Sequence, residues 1–199
     1  MHGLVNRSLQ GFLQDTYGDE VWRDIARRSA PDLTGFEPMM EYEDALTHDV
    51  IAAACRALSK TQPDLLEDLG TYLVSHPNMS RVRRLMRYGG DDFRAFLHSL
   101  DDLPERARLI LPDAPFPGLR LTDMGSGIYR LTCRGGMPGV EHVVMGIIRA
   151  MADDYGALVV LDWAETADGG PDSATIDIHM PADRFHEGRA FALTDGLAS

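Results

Sequence analysis

Three features of the chain predict an α+β fold, with a helical lobe of about seven helices followed by a ββαββ lobe holding a four-stranded antiparallel sheet. Through residues 4–111 apolar side chains recur three and four apart, the period of an amphipathic helix. Pro112, Pro115 and Pro117 then interrupt that pattern together, because a helix interior cannot accept them. Beyond them, two pairs of short segments rich in β-formers flank one long apolar helix. A single domain is therefore expected over residues 1–180, with the helical lobe at about 1–111 and the α/β lobe at about 117–180. Residues 181–199 are expected to form a loosely held tail.

The elements follow in order. Leu4, Val5, Leu9, Phe12 and Leu13 make one stripe of the first helix. Asp19 and Glu20 precede Val21, Trp22 and Ile25, where carboxylates complement the positive end of a helix dipole, so a second short helix is expected. Residues 31–40 read as a connector. Asp44 opens an Ala-rich helix that runs through Val50, Ile51 and Ala52 to Leu58. Pro63 suits a first turn and starts a helix with Leu65, Leu66, Leu69 and Leu73 on its buried side; Pro77 stops it. Two more helices are expected at 80–88 and 91–99, divided by Gly89-Gly90, which reads as a C-terminal cap. After the prolines, 119–122 and 128–134 read as strands joined by a turn at 123–127. Residues 139–155 read as one apolar helix. A final hairpin spans 157–164 and 174–180, split by Asp168-Gly169-Gly170-Pro171-Asp172.

Composition excludes several classes of function. The 199 residues, 44% hydrophobic and 25% charged, suffice for a sizeable core. The longest apolar runs, at 143–148 and 157–161, fall far short of the roughly 20 residues that span a bilayer, so no membrane role is expected. No basic stretch followed by an apolar core opens the chain, which points to a cytoplasmic protein without a secretory signal. Cys55 and Cys133 lie far apart and read as reduced thiols. A formal charge of -12 argues against nucleic acid, since phosphate binding needs clustered Lys and Arg. The one basic cluster, Arg81-Val82-Arg83-Arg84, is expected to be a solvated helix face. No catalytic motif is present, and adjacent acids such as Asp101-Asp102 and Asp153-Asp154 diverge on a helix, so they are expected to cap or solvate helix ends. The chain is not expected to be an enzyme.

Two segments carry a family resemblance. Met1-His2-Gly3-Leu4-Val5-Asn6 resembles the opening M-Y-G-x-V-N of the H-NOX (haem nitric-oxide/oxygen binding) family, and Tyr17-Gly18-Asp19-Glu20-Val21-Trp22 resembles its Y-G-x-E-V-W. Ala52-Ala53-Ala54, Phe93-Arg94-Ala95-Phe96-Leu97, Leu100-Asp101-Asp102-Leu103, Leu111-Pro112 and Pro138-Gly139-Val140 are also similar to family segments. The resemblance runs from Met1 to about Tyr155 and more weakly to about Met180. It implies the H-NOX fold, whose two lobes clasp one haem, and signalling through a separate partner such as a histidine kinase or cyclic-dinucleotide enzyme.

The residues that the family uses to hold haem are replaced here. The axial His that follows the L-D-x-L segment is Pro104, which has no lone pair for iron. The Y-x-S-x-R motif that grips the propionates falls on Cys133, Gly135 and Met137, none with the charge or hydroxyl a propionate needs. Arg134 and Thr132 point to the opposite face of a strand, and only a one-residue register shift would bring Arg134 into play. The pocket-lining positions that the resemblance implies are Val5, Leu9, Leu73, Pro77, Leu100, Pro117 and Val143, all apolar. Val143 falls where oxygen-binding relatives carry a hydrogen-bonding Tyr. Other iron donors are not favoured: His98 lies about 240° around a helix from Pro104, His76 and His142 are nearer the expected pocket but read as ordinary packed or surface residues, and Cys133 has only Arg134 beside it to favour a thiolate. The expectation is a haem-free ligand-binding or protein-interaction module, with haem absent or weakly bound. The alternative is a haem-binding gas sensor with non-standard axial ligation, with which Pro117, at a haem-contacting proline position, is consistent.

Overall fold

In the computed structural model, residues 1–110, 116–164 and 173–181 are described. The expected prolines Pro112 and Pro115, the Leu111-Pro112 segment, the 168–172 turn and the tail from residue 182 lie outside them.

Helix starts follow from local chemistry. α1 (Gly3–Tyr17) begins where the His2 Nδ1 accepts the Leu4 N–H at 3.2 Å, and it ends at Gly18, whose φ of 91° suits glycine alone. α2 (Asp19–Ser29) carries Asp19 and Glu20 in its first turn and Arg27 and Arg28 in its last, as the dipole favours. α3 (Asp44–Leu58) has the bounds expected from its acidic start. α4 (Gln62–Ser75) is capped by the Thr61 hydroxyl, has Pro63 in its first turn, and gives way to a single 3₁₀ turn at Pro77–Met79. α5 (Ser80–Arg87), α6 (Phe93–His98) and α7 (Leu103–Ile110) complete seven α-helices ahead of the sheet among the described residues.

β1 (Gly118–Gly125) and β2 (Ile128–Arg134) form a hairpin, α8 (Val140–Tyr155) follows, and β3 (Val160–Trp163) and β4 (Ser173–His179) complete the sheet. Strand order is β1-β2-β4-β3, every pair antiparallel. The ββαββ order and four-stranded antiparallel sheet are as the sequence predicts. β1 extends three residues past its expected end, to Gly125, because the Asp123–Gly125 irregularity lets pairing continue to Ile128.

Two apolar clusters form, and α8 belongs to both. One holds Leu9, Phe12, Leu13, Trp22, Ile25, Val50, Leu65, Leu66 and Leu69 with Met137 and Val143. The other packs Phe93, Phe96, Leu97 and Leu100 with Tyr129, Leu131, Cys133, Ile148, Ile176 and Ile178. α6, though early in the chain, is thus part of the sheet's core. Glycines bring α4 and α8 together: a Cβ at Gly70 would lie 2.1 Å from the Val143 carbonyl oxygen, and one at Gly146 2.0 Å from that of Glu67.

Three expectations need correction. Gly89 and Gly90 are not a left-handed cap, since neither has a positive φ; they are needed for close approach, a Cβ meeting the Ser99 Oγ at 2.1 Å and the Ala95 Cβ at 2.3 Å respectively. Arg83 does not lie on a merely solvated face: its guanidinium donates to Asp154 through Nε at 3.0 Å and Nη2 at 2.5 Å. Asp154 in turn does not solvate a helix end. It is 4% exposed, shared by Arg83 and, at 3.6 Å, by Arg87, whose guanidinium lies 4.0 Å over the Tyr155 ring.

Candidate functional site

The residues singled out in the sequence lie on α1, α4, α7, β2 and the segment into α8, and the structure does not bring them all together. Alternation along β2 buries Tyr129, Leu131 and Cys133 and leaves Arg134 exposed. The strand therefore keeps the register in which Cys133 faces inward, and Arg134 is not turned toward the core. Gly135 follows with a φ of 66° and is exposed. Met137 folds back into the first cluster, which also holds Leu9 and Val143, and is 8% exposed. Its carbonyl accepts the Val140 N–H at 3.0 Å, which starts α8.

The remaining positions divide between the two clusters. Val5 and Leu73 are partly buried against the first, while Leu100 belongs to the second together with Cys133. Pro104, the second residue of α7, is buried, and so is Pro117 ahead of β1. Pro77 departs from the expected apolar wall: it is exposed, because α4 ends two residues earlier and the 3₁₀ turn carries it to the surface.

None of Pro104, Cys133, Gly135 and Met137 presents a charged side chain. Burial, with a smaller contribution from the Glu141 carboxylate, pushes the Cys133 thiol up to about 12, so it stays a neutral thiol. Pro104 offers no donor, Gly135 no side chain, and Met137 a thioether spent on apolar packing. Beside Met137, a cleft of about 230 Å³ is lined by Met1, His2, Glu41, Asp44, Gly136, Met137 and Pro138. Its rim carries the carboxylates of Glu41 and Asp44, which the Met1 ammonium approaches at 3.9 and 2.8 Å.

Each candidate histidine has its own packing role. His76 stacks on Tyr72 at 4.8 Å and lies 3.5 Å from Asp15; His142 meets the Trp163 ring edge-on at 5.0 Å; His98 is exposed and edge-on to Tyr129. Sequence reading missed the cluster around Asp15, which accepts hydrogen bonds from the Tyr72 hydroxyl at 2.6 Å and the Asn78 amide at 2.8 Å. The Tyr72 hydrogen bond is the main cause that holds this carboxyl below its usual value, and burial raises the Tyr72 phenol. Nothing in the local sequence marks this cluster.

Comparison with known proteins fits this architecture. The model of the haem-NO-binding family matches residues 2–161, and the chain belongs to that family, the H-NOX domains of nitric oxide signalling. It is 24% identical over 155 residues to soluble guanylate cyclase 89Db of Drosophila melanogaster, covering 78% of this chain and 23% of that protein. Soluble guanylate cyclase gcy-34 of Caenorhabditis elegans is 25% identical over 160 residues, again 23% of its length. The chain thus spans about a quarter of the curated relatives it matches. Among solved structures, an H-NOX protein from S. oneidensis in the Fe(II)NO ligation state superposes with a TM-score of 0.75 at 15% identity, covering 91% of this chain and 99% of that one. The Cs H-NOX mutant with 4-cyano-L-phenylalanine at site 5 gives 0.77 at 14% identity, covering 94% and 100%. At such identities these structures establish a shared fold. None of the described helices is long and apolar enough to cross a membrane.

Proposed function

We propose that this chain is a haem-free H-NOX module, non-catalytic and cytoplasmic, that binds another ligand or a protein in a signalling pathway. The observation that carries the reading is Met137. At the position where the family resemblance calls for the propionate-gripping arginine, an apolar side chain is buried in the same cluster as Leu9 and Val143. A cation there would leave an unpaired charge in the core, so the substitution and the packing are mutually consistent. Pro104 and the neutral Cys133 thiol support the same conclusion from the axial side and from the strand.

On this reading residues 1–180 form one domain and 181–199 a tail. Val5, Leu9, Leu73, Leu100 and Val143 serve packing within the two clusters more than the lining of a cofactor pocket, and Pro117 is buried ahead of β1. The output passes to a separate signalling protein, a histidine kinase or a cyclic-dinucleotide enzyme; the guanylate cyclases among the relatives support a link to cyclic-nucleotide signalling.

The test is an absorption spectrum of protein purified from haem-supplemented cells, run beside a His-containing homologue and a Pro104→His variant. The expected result is no stoichiometric haem band in the unmodified chain, and little in Pro104→His, since Met137 still fills the core. A strong band in the unmodified protein would overturn the proposal.

A further inference from the structure

The two edges of the sheet are treated differently. At β1 the Asp101 Oδ1 accepts the Leu121 N–H at 2.5 Å, so a side chain from the helical lobe covers part of that edge. At β3, residues 157–164 contain no Pro, Lys or Arg, the residues that commonly blunt an exposed strand. Leu158, Val160 and Trp163 are 41%, 51% and 47% exposed, a grouping of large apolar side chains on one border of the molecule.

The outward main-chain groups of β3 can be identified. The Ala164 N–H donates to the Thr175 carbonyl at 2.9 Å, and hydrogen-bonded pairs alternate along an antiparallel ladder. With Val160 opposite His179 and Asp162 opposite Asp177, these two residues turn their amides and carbonyls toward β4. Leu161 and Trp163 turn theirs away. Among the described residues nothing takes up those outward groups.

We propose that this edge joins two copies of the chain, their β3 strands pairing antiparallel to merge the two sheets into one. The occupant follows from self-complementarity. A two-fold axis through Leu161 sets Leu161 opposite Leu161 and Val159 opposite Trp163 of the second copy, and Leu161 and Trp163 have outward-facing main-chain groups. On the inner face the pairs are aliphatic or aromatic, and Val159 and Leu161 already pack against the second cluster, so the apolar core continues across the junction. On the outer face Val160 lies opposite Asp162. Moving the axis to Asp162 would set two carboxylates against each other, which disfavours that register.

Sedimentation velocity on the full chain, over a range of concentrations, tests the proposal. A monomer–dimer equilibrium is expected. Val160→Asp places a carboxylate opposite Asp162 in both copies of the pair and should weaken association by roughly tenfold, whereas Val160→Lys creates two ion pairs and should tighten it by a similar factor. Val160 is half exposed, so both variants keep the fold, which circular dichroism verifies. A chain that stays monomeric at every concentration, including as Val160→Lys, would overturn the proposal; so would a dimer whose constant is the same in the two variants.

Discussion

Replacing Gly146 by alanine sets two physical expectations against each other. In an isolated helix the change is stabilising, since glycine costs ~1 kcal/mol relative to alanine in a helix interior. In this chain the added Cβ would lie 2.0 Å from the Glu67 carbonyl oxygen and 3.0 Å from the Thr71 nitrogen. Ordinary contact begins at 3.4 Å, so the carbonyl must retreat by about 1.4 Å. It belongs to the backbone of α4 and cannot rotate away as a flexible side chain could. Separating α4 from α8 also loosens Leu66, Leu69 and Val143 around the same seam. Overpacking of this kind costs about 1–3 kcal/mol, and a backbone obstacle argues for the upper end. After the propensity gain, the net destabilisation is about 2 kcal/mol. At ~2–4 °C per kcal/mol for a chain of this size, Tm should fall by roughly 4–8 °C. Thermal and urea unfolding followed by far-UV circular dichroism read this directly. Gly70→Ala should behave alike, and the double variant should cost less than the sum, because one separation relieves both contacts. A rise in Tm for Gly146→Ala would refute the reasoning, since propensity would then have outweighed packing.

Other consequences are open to measurement. Asp154→Ala removes the counter-charge shared by Arg83 and Arg87 and should cost about 3 kcal/mol in urea unfolding; a loss near zero would mean that the arginines find equal partners elsewhere. Hydrogen bonds from Tyr72 and Arg130 are the chief causes that hold the Asp15 and Asp177 carboxyls below the usual aspartate value in the folded chain. A depressed folded pKa contributes stability above the unfolded value that is lost as pH falls through the folded one, so the urea midpoint should drop below about pH 4. Asp15→Asn should flatten part of that slope; an unchanged acid limb would remove Asp15 from the account. Cys133 is buried, with its thiol at about 12, whereas Cys55 is partly accessible and raised by burial to a lesser extent. A thiol reagent at mildly alkaline pH should therefore reach Cys55 first and Cys133 only on unfolding, and equal native rates would contradict the burial of Cys133.

Much of the fold was legible in the sequence because its signals are local. The bounds of α3 follow from Asp44, the start of α4 within a residue from Pro63, and the course of β2 from simple alternation, each set by neighbours within a turn or a pleat. The assignment of Pro104, Cys133, Gly135 and Met137 to the family's haem positions rests on the sequence resemblance, and the structure adds their burial or exposure. Tertiary structure decided the rest. Only packing shows that Met137 joins the cluster that holds Leu9, that Gly89 and Gly90 serve close approach, or that α6 packs into the sheet's core. Only packing, too, joins Tyr72 to Asp15 across 57 residues and Arg83 to Asp154 across 71. A buried charge or hydroxyl must find its partner wherever the folded chain brings one, and no window of neighbouring residues records that distance.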